Sequence, residues 1–221
     1  MSERLIFLDA ETAADALTFS GRAAAVGDGT VRLRAVDGVL AMTCAPLAPV
    51  TLLDDTPTVI GMRALPVDPE LVCDLVVEAS ALTPTGAASV VLPEVAVSVP
   101  WAGIAPPRAG WERVGMIDSA VIEARAAWGS AAVARALPSH PGEDVVRTVR
   151  ASVWGEADDD LGGLPRGVAF AARALGFLGE GEPAGRFRAG PWSRVSLRRG
   201  HVLSRRRTTS GLTQVRATGG R

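Results

Sequence analysis

The 221-residue sequence contains no lysine, no tyrosine and no asparagine, and its one glutamine is Gln214. These absences delete chemistry. Without lysine there is no Schiff-base amine, no general-base amine and no P-loop lysine. Without tyrosine there is no phenolic proton donor, and without asparagine no carboxamide for an oxyanion from that residue. Catalysis would have to come from Asp, Glu, Ser, Thr, Arg, His140, His201, Cys44 and Cys73. The codons of the missing residues are AT-rich, so a GC-biased genome accounts for the pattern and the absence counts only as an exclusion. Aromatic residues are scarce, at 5% of the chain, and five of them are the tryptophans 101, 111, 128, 154 and 192.

Long hydrophobic runs are missing as well. No stretch approaches the roughly 20 apolar residues of a membrane span. The run Leu5–Leu8 is too short for a signal peptide and ends at Asp9, so a cytoplasmic protein is expected. Cys44 and Cys73 lack CxxC spacing and read as small core hydrophobes rather than a disulfide. The two histidines are far from them in sequence, and neither a metal nor a cofactor is expected. No G-x-S-x-G, H-E-x-x-H, Walker A or dinucleotide fingerprint occurs, so the reading leans away from an enzyme. The acidic run Glu156–Asp160 lacks the ligand spacing of a calcium loop and reads as a solvated loop.

What is present is a globular composition with a divided charge. The chain is 48% hydrophobic with a mean hydropathy of +0.22. Residues 1–110 carry six arginines against thirteen acids, a net −7, and residues 111–221 carry seventeen against eleven, a net +6. From Pro183 onwards there are ten arginines and no acid. A segregation this strong points to an acidic partner or to pairing between the halves.

The periodicities predict an α+β fold: a strand-rich N-terminal half, a three-helix middle segment, and a C-terminal β-hairpin with a basic tail. Residues 1–99 form a β-rich (sub)domain, 100–116 a Pro/Gly/Trp connecting loop, 117–207 a helical segment ending in a hairpin, and 208–221 a flexible tail. In the first part Asp9 caps a helix to about Thr18, and Asp37-Gly38 makes a type I′ turn between Val31–Val36 and Val39–Thr43. Val95–Val99 alternates like a half-buried strand. Helices are expected from Asp118 to Leu137, from Pro141 to Trp154, and from Pro165 to Leu178. Glu143 and Arg147 form an i,i+4 pair, His140 helps cap the second helix, and Trp128 and Trp154 anchor the core. The short strands Arg186–Arg188, Ser193–Leu197 and His201–Ser204 follow. No internal repeat is visible.

The order helix, helix, helix, hairpin over 118–204 resembles that of a winged helix, a class that binds DNA with its third helix. The resemblance is topological and carries no motif. Here the third helix offers only Arg166 and Arg173 to a base edge, so base readout by it is not expected. The candidate binding surface is instead Trp192, Arg194, Arg198, Arg199, His201, Arg205, Arg206 and Arg207. Guanidinium groups bind phosphate bidentately, and Trp192 would supply a stacking face. The leading expectation is a non-catalytic binding protein whose Arg-rich C-terminal surface meets an acidic partner, nucleic acid or protein. One alternative is an enzyme or small-ligand protein using a cleft between the halves near Trp101 and Trp111. The other is a structural subunit, for which unprotected strand edges would support a homo-oligomer.

Overall fold

The computed structural model describes residues 4–51 and 53–205. In chain order the elements are β1 (Arg4–Ile6), α1 (Ala10–Ala23), β2 (Thr30–Val36), β3 (Val39–Leu47), β4 (Thr58–Pro66) and β5 (Cys73–Glu78). There follow β6 (Pro84–Gly86), β7 (Ser89–Val91), β8 (Glu112–Ile117), α2 (Ser119–Ala136), α3 (Glu143–Gly155), β9 (Ala157–Asp158) and β10 (Leu164–Pro165). The chain closes with α4 (Gly167–Ala174), β11 (Ala184–Ala189), β12 (Trp192–Leu197) and β13 (Gly200–Arg205). The fold is mixed α+β, with a strand-rich first half and terminal strands.

Eight strands form one antiparallel sheet in the order β5-β2-β3-β4-β13-β12-β11-β8. The meander β2-β3-β4 comes from the first half of the chain and β11-β12-β13 from the second. They meet where β4 pairs with β13, Ile60 opposite Leu203 and Val59 opposite Ser204. Alternation of side chains across a strand then gives the sheet two unlike faces. Leu33, Leu40, Met42, Val59, Val195 and Val202 point to the face covered by α1 and α4, inside one continuous buried cluster. α2 and α3 pack on α4. Gly61 of β4 lets the end of α4 approach, since a Cβ there would lie 1.9 Å from Leu175 Cδ1.

No described α-helix packs on the opposite face. That face buries a smaller cluster of Ile60, Trp192 and Leu203, over which Met62, Ile104 and Trp111 pack. Ile104 and Trp111 belong to the stretch linking the two halves, which crosses this face and accepts a hydrogen bond from Arg32 Nη1 at Ala102 O (2.6 Å).

Several local expectations are met. Asp9 accepts from Thr12 N (2.7 Å) and Asp118 from Ala120 N (2.9 Å), each capping its helix. Asp37 (φ 52°) and Gly38 (φ 75°) both take the left-handed conformation that a type I′ turn needs. Others are corrected. Residues 95–99 are not a strand: Val95 is exposed, and Val97 N bonds Val76 O beside β5. Residues 112–116 are strand, not connecting loop. The third helix stops at Ala174, where Leu175 and Gly176 leave the helix (Gly176 φ 69°). Gly142, not His140, occupies the N-cap of α3 and makes no side-chain cap bond. Arg147 pairs with Asp144, three residues back, rather than with Glu143. The winged-helix order breaks because β13 joins β4 instead of forming a separate wing. The tail 208–221, with Arg206 and Arg207, lies outside the described residues.

Candidate arginine site at the β11–β12 hairpin

The hairpin β11–β12 pairs Arg186 with Val195, Phe187 with Arg194, Arg188 with Ser193 and Ala189 with Trp192. Paired residues share a face, so arginines alternate between the two sides of the sheet. Arg186, Arg188, Ser193 and Ser204 lie on the helix-covered side. There they help line a cavity of about 400 Å³ with Gly162, Gly163, Leu164 and Pro165. Three arginines (186, 188 and 194) and two serines line this cavity, and no acidic residue does. Arg186 Nη2 donates to Gly162 O at 2.9 Å. Gly162 (φ 65°) is required at that contact, because a Cβ would sit 2.0 Å from the guanidinium.

On the helix-free side Arg194 stands between two rings, 4.6 Å from the centroid of Trp111 and 4.5 Å from that of Phe187. These cation–π contacts hold the guanidinium in place without neutralising it. The Nε atoms of Arg194 and Arg205 are buried and have no hydrogen-bond partner among the described residues. Desolvation lowers the Arg194 pKa, yet a guanidinium stays charged at any physiological pH. Burial, with the Arg194 and Arg63 charges, also pushes the His201 pKa below its usual value. Its Nδ1 lies 3.1 Å from Ser196 Oγ.

The sequence-predicted surface is therefore divided. Arg198 and Arg199 sit on the turn at one end of β12, while Trp192 and Arg205 pair at the other end. At ~3.3 Å per residue these ends are roughly 20 Å apart. Arg194 and His201 lie between them. Trp192 is buried in the small cluster, so its ring is packed against Ile60 and Leu203 and is closed to a base. Arg198 pairs with Glu182 (3.1 Å), and Arg199 O accepts from Arg63. Among the described residues no arginine after Pro183 forms an ion pair with an acid of the first half. The structure brings Arg186 and Arg188 to the site. Both belong to the acid-free stretch, but their placement beside Gly162 and Gly163 had no sequence signal.

The other candidates resolve separately. The acidic run is a paired hub rather than a solvated loop. Asp158, 6% exposed, accepts from Arg166 Nε (3.0 Å) and Asp160 N (3.0 Å) and lies 3.7 Å from Arg125 Nε. Arg125 also pairs with Asp160, and Arg166 with Glu156 (2.5 Å). Trp128 is 41% exposed beneath the Arg166 guanidinium rather than a core anchor, whereas Trp154 is buried. Cys44 is buried, which raises its thiol pKa, and Cys73 is half-buried; the two are not joined by a disulfide. Trp101 donates to Asp28 Oδ2 (2.8 Å) and lines a second cavity against α3. Trp111 does not line that cavity; it covers the helix-free face instead. No described helix is long and apolar enough to cross a membrane.

The fold is similar to that of solved DNA polymerase III beta subunits. The chain is similar to a protein assigned as a DNA polymerase III beta subunit from Eubacterium rectale, with 10% identity and a TM-score of 0.50 over 93% of this chain and 65% of that one. It is also similar to the sliding clamps of Bartonella birtlesii (10% identity, TM-score 0.49, 92% and 65% covered) and Caulobacter crescentus (13%, 0.48, 99% and 69%). At such identity the likeness defines the fold alone, and the chain spans 65% of the length of the first two. Within that fold, residues 1–103 match one domain of unknown function (DUF8010) and residues 106–209 another (DUF8185). No curated protein matches the chain.

Proposed function

We propose that the protein is a non-catalytic binding subunit of sliding-clamp-like fold whose β11–β12 arginines hold an acidic partner, with nucleic acid first among them. One observation carries the reading. Arg186 and Arg188 on one face of strands β11–β13, and Arg194 and Arg205 on the other, form no ion pair among the described residues, and Arg186, Arg188 and Arg194 line a cavity with no acid among its described lining. Guanidinium groups without an ion-pair partner suit phosphate, which each arginine meets bidentately. The similar structures are polymerase subunits, which puts nucleic acid ahead of acidic proteins in the order of testing.

Fluorescence anisotropy with labelled single- and double-stranded DNA and RNA tests this. Binding is expected to fall by orders of magnitude between about 50 and 200 mM salt if six or more phosphates are contacted. It is expected to be lost in the combined variant Arg186→Ser, Arg188→Ser, Arg194→Ser. No binding by the intact chain at low salt removes nucleic acid and leaves an acidic protein, whereas full binding by the variant removes these arginines as the site.

A second reading rests on the sheet edges. The β5 edge is flanked by the chain itself through Val97 N and Val76 O, whereas the β8 edge exposes Val114 (50%) and Met116 (52%) with no backbone partner among the described residues. Such an edge favours pairing with a second copy. Light scattering should give a multimer for the intact chain and a monomer for Val114→Glu with Met116→Lys. A monomeric intact chain rejects this reading.

A further inference from the structure

A cavity of about 680 Å³ lies between the first half of the chain and α3, walled by the segment 45–50, Pro100 and Trp101 on one side and by Val146, Arg147, Arg150 and Ala151 on the other. Its size falls inside the ~300–1,000 Å³ range of small-molecule sites, and like them it is lined mainly by apolar groups. The charged groups differ in how they are engaged. Asp28 is bound by Trp101 Nε1 (2.8 Å) and by the N and Oγ1 of Thr30 (3.1 and 2.7 Å). Asp54 accepts from Val50 N (2.8 Å) and Thr56 N (2.9 Å). Arg147 pairs with Asp144. Glu143 stands exposed at the start of α3. Glu143 and Arg150 have neither a side-chain hydrogen bond nor an ion pair among the described residues, and of the two only Arg150 is half-buried. Its guanidinium lies 4.9 Å from the centroid of Phe170. Desolvation without a compensating charge lowers its pKa.

We infer that this cavity is a binding site for an amphipathic carboxylate, its apolar body against Val50, Trp101, Val146 and Ala151 and its carboxylate on Arg150. A guanidinium that no carboxylate among the described residues engages presents parallel donors, which a ligand carboxylate meets bidentately. A small molecule fits better than a phosphate backbone because the walls are apolar and the remaining carboxylates would repel a polyanion. The site is independent of the β11–β12 arginines, which line the other cavity.

The test uses the full chain with sodium dodecanoate below its micellar concentration, read by intrinsic tryptophan fluorescence and by calorimetry. 1-Dodecanol serves as the uncharged control. Dodecanoate should bind saturably, at least about tenfold tighter than dodecanol, as a charge-assisted bond predicts. Trp101→Phe should reduce the fluorescence response while calorimetry still reports binding. Arg150→Met should abolish the preference for the acid over the alcohol, and Arg150→Lys should keep part of it. Circular dichroism checks that each variant is folded, and the lysine variant decides if the methionine variant is not. No saturable binding of dodecanoate, equal binding of acid and alcohol, or an undiminished preference in Arg150→Met overturns the inference.

Discussion

The two halves of the eight-stranded sheet are built alike and charged differently. Each contributes a three-stranded antiparallel meander, β2-β3-β4 beneath α1 and β11-β12-β13, and they adjoin along β4 and β13, where α4 packs on both strands. In the first half the sheet arginines have partners. Arg32 binds Asp74 at 2.7 and 2.9 Å, Arg34 lies 3.6 Å from the same carboxylate, and Arg63 pairs with Asp15. The Arg32 guanidinium holds the Asp74 pKa below the usual carboxylate range. In the second half Arg186, Arg188, Arg194 and Arg205 form no ion pair among the described residues, although Arg186 donates to Gly162 O and Arg194 lies against Trp111 and Phe187. The same scaffold thus neutralises its arginines on one side and holds them uncompensated on the other. Charge segregation in sequence is therefore not cancelled by ion pairing among the described residues.

The sharpest way to break the comparison is at its seam. Gly61→Val places methyl groups where Leu175 Cδ1 stands, 1.9 Å from an added Cβ, and both halves meet there. Overpacking at this point should cost about 3 kcal/mol, the upper end for a dense core. Denaturant unfolding should show one cooperative loss across both halves; a loss below ~1 kcal/mol would mean that α4 gives way easily.

Next in size is the buried pairing of the second half, which shows that this half does compensate arginines away from its sheet end. Asp158→Ala strips Arg166 of one of two carboxylates and removes a bond to Asp160 N. Arg166 keeps Glu156, so the expected cost is about 2 kcal/mol, below the 3–5 kcal/mol typical of an orphaned buried charge. By contrast Asp74→Ala, at a carboxylate 42% exposed, should cost about 1 kcal/mol or less. Similar losses for the two variants would erase the distinction between a paired interior hub and a paired surface.

Much of the fold was legible because it rests on local chemistry. The caps at Asp9 and Asp118, the Asp37-Gly38 turn and the three C-terminal strands are encoded within a few residues each. What escaped was long-range. Nothing in Val95, Val97 and Val99 distinguishes a paired strand from a segment lying beside β5. The pairing of β4 with β13 joins residues some 140 apart in sequence and leaves no periodic trace. Trp192 and Trp128 look alike as isolated tryptophans, and only the packing of the sheet decides that one is buried and the other carries Arg166. The arginine site was visible as a charge run, but alternation across β12 and the turn at Arg198-Arg199 divide that run in ways composition does not reveal.

The smallest expected effect reads the uncompensated field directly. His201 lies on the helix-free face beside Arg194, and burial together with the Arg194 and Arg63 charges lowers its pKa in the folded protein. Below the ordinary histidine pKa of about 6.5, the unfolded chain takes up a proton that the folded chain resists, so stability falls as pH falls through that window and is complete above it. Between pH 7.5 and 5.5 the Tm of the intact chain should therefore drop slightly more than that of His201→Gln, with the carboxylate background common to both. Arg194→Ser should raise the His201 pKa, measured by NMR titration of its ring protons. Arg34→Ser, which removes a first-half arginine already facing Asp74, should leave it in place. Equal shifts in the two variants would mean that the second-half arginines are screened as fully as the first, and the contrast between the halves would reduce to composition.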